Sequence, residues 1–170
     1  MIVSILQQIF RFLLLLVIQI LVLNNITLPG IFNSYIYFYF IITLPIAISH
    51  TLLLFISFLC GLGVDVFSGT LGIHAFAATF LGFLRPYLLT ILKPSGGYNS
   101  EDEPRLFSLG FRWFFFYSLY TILIAHFILF LVETLSVNQL LLILSKTIMS
   151  SILSVVIIIL IEYLLYSRKK

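Results

Sequence analysis

The sequence predicts an all-α integral membrane protein built as a bundle of about six transmembrane helices. Of its 170 residues, 62% are hydrophobic and only 9% are charged, whereas soluble domains carry about 25% charged residues. A soluble chain of this length has too large a surface for its volume to bury so many apolar side chains. The apolar residues form long runs without the alternation of a membrane β-barrel, and helices pair their own backbone groups in lipid.

Breaks in the apolar runs predict where the helices begin and end. The run from Tyr35 to Val64 exceeds the roughly 20 residues of one span, and Pro45 and the polar group Ser49-His50-Thr51 interrupt it. We therefore expect two short helices in this run. The predicted helices are Ile5–Leu23, Tyr35–Ile48, Thr51–Val64, a fourth that ends near Leu92, Arg112–Val132 and Gln139–Tyr166.

The basic residues predict how this bundle is oriented. Six helices place both termini on one side of the membrane, and basic residues concentrate on that side. By the positive-inside rule, both termini and the Lys93–Gly110 loop therefore face the cytoplasm, and residues 1–170 form a single polytopic domain. The residues predicted to anchor this topology are Arg85, Lys93, Arg112, Arg168, Lys169 and Lys170.

The segment GLGVDVFSGTLGIHAFAATFLGFLRP, Gly61–Pro86, places one acid, Asp65, in an apolar region. Charges near the bilayer centre are costly, so an intramembrane acid is a functional-site hypothesis by default. Two interpretations of Asp65 stay open: a buried polar lock or partner contact, and an interfacial acid that caps a tight turn at Phe67–Thr70. In that turn, Ser68 or Thr70 is expected to cap the fourth helix.

Small residues on the third and fourth helices predict a tight hairpin. Ser57 and Gly61 are four residues apart on the third helix, and Ala75, Ala78 or Thr79, and Gly82 recur at helical spacing on the fourth. Small side chains at this spacing let helix backbones approach closely, and such packing drives helix association in lipid. Whether this face meets the sixth helix or another protein stays open.

Three polar groups within the helices have their own interpretations. Lys146 either reaches the outer headgroups or pairs with Asp65, which the predicted topology places in the same half of the membrane. Arg11 either reaches the headgroups independently or pairs with Glu162. His74 lies in the first turn of the fourth helix and is expected to hydrogen-bond within the bundle, as buried polar groups generally do.

The sequence lacks the patterns that catalysis or cofactor binding requires. It contains no Walker loop and no HExxH motif, and Cys60 has no histidine at motif spacing, so we expect neither an enzyme nor a cofactor or metal. The cytoplasmic basic residues are too few to predict nucleic-acid binding. The acidic run Glu101-Asp102-Glu103 is interpreted as a solvated linker, with contact to a basic partner as the alternative.

The segment GLGVDVFSGTLGIHAFAATFLGF resembles the signature of the MreD family, small polytopic membrane proteins of the bacterial rod-shape system. The shared pattern is a glycine, then Asp65, a Ser-Gly turn at Gly69, Leu-Gly at Gly72 and a small-residue helix. The layout agrees in length, in a retained first helix, in a proline within the second hydrophobic stretch and in a short basic tail. The long Gly-Gly-acidic loop at Ser95–Glu103 and the unusually Phe-rich helices depart from the family's pattern.

The resemblance implies a non-enzymatic part of the cell-wall elongation complex in the bacterial inner membrane. The expected direct partner is MreC, a bitopic protein with a periplasmic domain. The indirect partners are the MreB filament, the RodA glycosyltransferase and the elongation transpeptidase, and membrane lipid surrounds the bundle. We assign helix packing or partner docking to Ser57, Gly61, Asp65, Gly69, Gly72, His74, Ala75 and Gly82.

The family's fold is similar to the substrate-binding subunits (S-components) of energy-coupling-factor vitamin transporters, which are also six-helix bundles. That similarity supplies the alternative function. Such a subunit would need an outward-facing pocket and a small-residue motif that docks its transporter partner. The first helix, Ile5–Leu23, contains no alanine or glycine, which counts against a transporter subunit, and a shared fold alone carries no function.

Overall fold

The computed structural model describes residues 2–23, 34–99, 102–135 and 137–167. Over these residues the chain is all-helical, with five long helices and two short ones. The predicted anchors Arg168, Lys169 and Lys170, and Glu101 of the acidic run, lie outside the described residues. The helices are α1 (Ile2–Leu21), α2 (Phe38–Ile42), α3 (His50–Ser68), α4 (Ile73–Ile91), α5 (Leu106–Leu109), α6 (Phe111–Thr134) and α7 (Leu140–Ser167), and a 3₁₀ turn at Val137–Gln139 precedes α7.

Three helical stretches are long and apolar enough to cross a membrane: His50–Ser68, Phe111–Thr134 and Leu140–Leu165. A shorter apolar stretch, Gln7–Leu21, lies in α1. This composition confirms the prediction of an all-α chain with the character of a membrane protein.

The distribution of side chains on α7 agrees with an apolar solvent around the bundle. Its inward face carries the buried hydroxyls of Ser150, Ser151 and Ser154, and its outward face carries exposed Ile152 and Val156. Lipid tails are as apolar as leucine, so outward-facing apolar residues are not penalised, and small or polar residues collect where helices meet.

The bundle has two ends, which long-range hydrogen bonds identify. At the first, the loop end, Gln8 Nε2 donates to Glu103 Oε1 at 3.1 Å, and the Leu106 N–H donates to Glu162 Oε2 at 3.3 Å. The start of α1, the end of α7 and the loop between α4 and α6 therefore meet there. At the opposite end, the hairpin end, α3 turns into α4 and α6 leads into α7.

The predicted helix over Tyr35–Ile48 is wrong, because only the five residues Phe38–Ile42 are helical. Pro45 is one reason, since a proline disfavours helical geometry in the residue before it. The segment nevertheless runs from the hairpin end to the loop end, where the Ile46 N–H donates to the Asp102 carbonyl at 3.1 Å. The chain passes along the bundle here without a long helix.

Two further expectations change in the structure. α3 continues to Ser68, so the turn begins at Gly69 and not at Phe67. The predicted helix Arg112–Val132 is slightly longer as α6, Phe111–Thr134, and it buries Phe114 and Tyr117 completely. The reason is its place in the bundle, where it packs against both α4 and α7.

Candidate functional site

Asp65 lies near the end of α3 and is only 3% exposed. Its Oδ1 accepts the backbone N–H of His74 at 3.1 Å, and its Oδ2 accepts that of Ala75 at 2.8 Å. The Thr70 hydroxyl also donates to Oδ1. A carboxylate at the start of a helix pairs N–H groups that have no partner within the helix and faces the positive end of the helix dipole.

This geometry combines the two interpretations of Asp65. The side chain is buried, and it caps the first turn of α4 from the preceding helix. The expected caps Ser68 and Thr70 do not perform this role, because Gly72 occupies the N-cap position of α4. Gly72 has no side chain that could accept a hydrogen bond, and Asp65 supplies the acceptors in its place.

Gly69 and Gly72 form the turn between α3 and α4 and do not pack against another helix. Their φ angles are +67° and +86°, and a Cβ added to either would meet nothing within 4 Å. Left-handed backbone geometry favours glycine because residues with a Cβ are strained there. These two glycines therefore serve turn geometry and not helix packing, whereas their assignment to partner docking stays a prediction.

The small residues of the hairpin face each other across α3 and α4. A Cβ on Gly61 would clash with the His74 carbonyl and lie 2.5 Å from the Ala75 Cα. A Cβ on Gly82 would lie 2.5 Å from the Ser57 Oγ. These residues are buried between the two helices, so the small face lies inside the hairpin and is not open to another protein.

His74 joins the hairpin to the segment that precedes α3. Its Nδ1 lies 3.2 Å from the Tyr37 hydroxyl, and its ring meets the Tyr35 ring edge-on with centroids 5.1 Å apart. The expected hydrogen bond within the bundle is therefore present. The Tyr35 ring also lies 5.6 Å, centroid to centroid, from the ring of His126, whose Nδ1 is 3.0 Å from the Ser151 hydroxyl on α7.

The structure does not bring Lys146 and Asp65 together. The Lys146 ammonium lies over the Phe130 ring, 5.8 Å from its centroid, and no ion pair joins Lys146 to Asp65, although both residues are described. Because two backbone N–H groups and a hydroxyl already satisfy Asp65, its carboxylate has no need of an ammonium partner.

Residues Ser34–Leu44, which we call the central segment, are buried along their whole length. The sequence did not predict that this segment would be a buried and largely non-helical part of the bundle. Irregular backbone at membrane depth is tolerated where protein groups satisfy it. Gln19 of α1 does so near Ser34: its Oε1 accepts the Ile36 N–H at 2.8 Å, and its Nε2 donates to the Ser34 carbonyl at 3.1 Å. The Ser154 hydroxyl of α7 accepts the Tyr35 N–H at 3.2 Å.

Arg85 of α4 was expected to anchor the topology at the headgroups, and that prediction is wrong. The side chain is 1% exposed. Its Nη2 donates to the Leu44 carbonyl, and its Nε donates to the Ile42 carbonyl at 3.4 Å. The Tyr117 hydroxyl donates to the same Ile42 carbonyl at 2.9 Å. The Ile42 carbonyl ends the five-residue helix α2 and has no partner within it, and the Leu44 carbonyl lies two residues beyond its end, so both accept from neighbouring helices.

Glu162 of α7 binds the loop end of the central segment. Its carboxylate accepts the Tyr39 hydroxyl and the Leu106 N–H, and it lies 3.6 Å from the Arg105 guanidinium. Arg11 does not pair with Glu162; its guanidinium lies over the Tyr39 ring, 5.0 Å from the centroid. Burial alone would lower the pKa of Arg105, but Tyr39, Glu103 and Glu162 outweigh it, and the pKa is raised.

The acidic run is not a free linker over its described residues. Glu103 Oε2 accepts from Arg105 Nε at 2.6 Å, and Asp102 Oδ2 accepts the Asn99 N–H at 2.8 Å. These bonds fold the loop onto itself and onto α1, through the Gln8–Glu103 bond described above. Asp102 and Glu103 are both partly exposed, as expected for a solvated linker, but their carboxylates also have partners within the protein.

The predicted anchors Lys93 and Arg112 are both exposed at the loop end. Two aromatic side chains bind the end of α4 near this end of the bundle. Trp113 Nε1 donates to the Leu92 carbonyl at 2.6 Å, and the Tyr98 hydroxyl donates to the Leu89 carbonyl at 2.8 Å. Burial raises the pKa of Tyr98 to about 12, so its hydroxyl stays a donor at neutral pH.

A cavity of about 500 Å³ opens at the hairpin end. Its polar lining includes Ser34, Thr70, His74 and Glu133, and Tyr35 supplies an aromatic wall. Cavities with a few converging polar groups in an apolar surround are typical of small-molecule sites. Within the part of the chain that the structure describes, no three His, Cys, Asp or Glu side chains come together as a metal site.

Comparison with known proteins adds no family to this geometry. The chain matches no protein-family model, and no curated protein or solved structure is detectably similar to it. What the molecule does must therefore be inferred from the hairpin, the central segment and the cavity.

Proposed function

We propose that this chain is a non-enzymatic scaffold in the bacterial inner membrane, a component of the cell-wall elongation complex that binds MreC. The observation that supports the proposal is the role that the MreD-like segment, residues 61–83, has in the fold. Its acid caps α4 and its small residues pack the hairpin, so the distinctive residues of the segment build a rigid unit. A rigid hairpin suits a protein whose task is to position a partner.

In this proposal the loop end faces the cytoplasm and the hairpin end faces the periplasm. The exposed Lys93 and Arg112 at the loop end favour that orientation under the positive-inside rule. Both termini would then lie in the cytoplasm, on the side of the MreB filament. The hairpin end would lie beside the periplasmic domain of MreC, which connects to RodA and the elongation transpeptidase.

Depletion of the protein in its source bacterium tests the proposal, and we expect rods to become spheres. Co-purification with MreC from detergent extracts is the second expected result. Gly61→Leu should fail to restore rods because it separates α3 from α4. Gly63→Ala is the matched control, since its Cβ would meet the flexible end of the Leu16 side chain. Normal shape on depletion would contradict the proposal.

Crosslinking can locate the MreC contact. The small face lies inside the hairpin, so the partner must meet an outward face. Photoreactive residues at Phe58 and Leu62 on α3 are expected to capture MreC, whereas those at Ile152 and Val156 on α7 are not; all four side chains are exposed. Capture from α7 alone would assign the contact to the opposite face and remove the hairpin from the mechanism.

The hairpin-end cavity favours a second candidate function, the substrate-binding subunit of an energy-coupling-factor vitamin transporter. In the proposed orientation this cavity of about 500 Å³ opens outward, as such a subunit requires. The absence of small residues from Ile5–Leu23 counts against it. Calorimetric titration of the purified protein with B vitamins distinguishes the two functions, because tight binding together with normal cell shape on depletion would favour the transporter subunit.

A further inference from the structure

An open groove of about 790 Å³ lies at the loop end, between the end of α4 and the start of α6. Lys93 and Arg112 supply its charge, and Trp113 forms part of its wall. The described acids of the neighbouring loop, Asp102 and Glu103, line a separate cavity with Arg11 and Arg105. Among the described residues of the loop end, the acids therefore lie apart from this groove, whose charged side chains are both cations.

The apolar part of the groove lies along one face of α6. Arg112, Phe116 and Tyr120 follow at intervals of four residues, which places them on the same side of the helix. The Phe116 and Tyr120 rings stack with centroids 6.3 Å apart, and both are exposed. A cation at the helix end followed by two apolar rings matches a molecule with a charged head and a hydrocarbon tail.

We propose that this groove binds an anionic phospholipid, with its phosphate between Lys93 and Arg112 and an acyl chain along Phe116 and Tyr120. Basic pockets between membrane helices on the cytoplasmic side bind such headgroups, and interfacial Trp and Tyr residues mark the headgroup level. The hydrogen bond from Trp113 to Leu92 fixes the groove wall. The inference does not depend on the cell-wall function.

Trp113 provides a direct measurement, because it is the single tryptophan of the chain. The full chain is placed in phosphatidylcholine vesicles that contain a minor fraction of lipid brominated on its acyl chains, either phosphatidylglycerol or phosphatidylcholine. Bromine quenches tryptophan at short range. We expect brominated phosphatidylglycerol to bind beside Trp113 at least about fivefold more strongly than brominated phosphatidylcholine, because one protein cation that meets an anionic headgroup contributes about that factor.

The double variant Lys93→Gln/Arg112→Gln is expected to lose this preference while keeping the wild-type quenching by brominated phosphatidylcholine, which shows that it is inserted and folded. Lys146→Gln is the matched control, since it removes a cation near the hairpin end, and the preference should persist. Equal quenching by both lipids in the wild type would overturn the proposal. A preference that survives the double variant would also overturn it.

Discussion

The α3–α4 hairpin and the central segment both keep polar groups inside an apolar bundle, but their partners come from different distances along the chain. In the hairpin, the carboxylate of Asp65 is bound by groups no more than 10 residues away. In the central segment, Tyr35 is bound by Ser154, 119 residues away, and Tyr39 by Glu162, 123 residues away. The hairpin is a local unit, whereas the central segment needs the assembled bundle.

The comparison predicts where substitutions are most harmful. A lost contact in the hairpin disturbs two neighbouring helices. A lost contact in the central segment leaves backbone groups without a partner in the interior, where each unsatisfied group costs about 1–3 kcal/mol.

Arg85→Met should lower the free energy of unfolding by about 4 kcal/mol, because the Leu44 carbonyl loses its donor and the Ile42 carbonyl loses one of two. Unfolding by sodium dodecyl sulfate in mixed micelles, followed by Trp113 fluorescence, measures the change. Arg112→Met is the control, since that guanidinium is exposed, and it should have little effect. Equal stabilities of the two variants would show that the central segment does not depend on Arg85.

Gly61→Ala should destabilise the protein by about 3 kcal/mol, because the new methyl group meets the backbone of α4, which cannot move without opening the hairpin. Gly63→Ala on the same helix should be close to neutral, since it meets the end of the Leu16 side chain. The same unfolding measurement compares them. A neutral Gly61→Ala would mean that α3 and α4 are not in close contact.

Asp65→Ala should lower the free energy of unfolding by about 2 kcal/mol, as expected for a lost helix cap that leaves two N–H groups unpaired. Asp65→Asn should cost less, about 1 kcal/mol, because the amide oxygen still accepts one N–H while the charge at the helix start is lost. If the two variants lost equal stability, the acceptor atoms would not be what matters at this position.

Lys146→Met should change stability least, by about 0.5 kcal/mol, since only a cation–π contact with Phe130 is lost.

The charge exchange Asp65→Lys with Lys146→Asp tests directly whether these two residues form an ion pair. We expect the double variant to be no more stable than Asp65→Lys alone. If adding Lys146→Asp recovered stability, residues 65 and 146 would be in contact, and the observed cap at Asp65 would be contradicted.

Much of the hairpin could be predicted from sequence because its interactions are short-range. The spacing of Ser57 and Gly61 predicts a close helix contact, and a cap is one of the two interpretations that the pattern leaves open for Asp65. The pattern did not predict which atoms are capped. Asp65 accepts not only the Thr70 hydroxyl but also the backbone N–H groups of His74 and Ala75 at the start of α4. That choice follows from the left-handed turn at Gly69 and Gly72, which returns α4 toward α3.

The sequence alone determined the all-α class, the apolar character of the long helices and the hairpin, because composition and helical periodicity act over a few turns. Three features come only from the packing of the helices: Tyr35–Ile48 is largely not helical, Arg85 lies inside the bundle, and Lys146 and Asp65 are apart. The physical reason is that a buried backbone group must have a partner, and which distant side chain supplies it depends on how the helices pack.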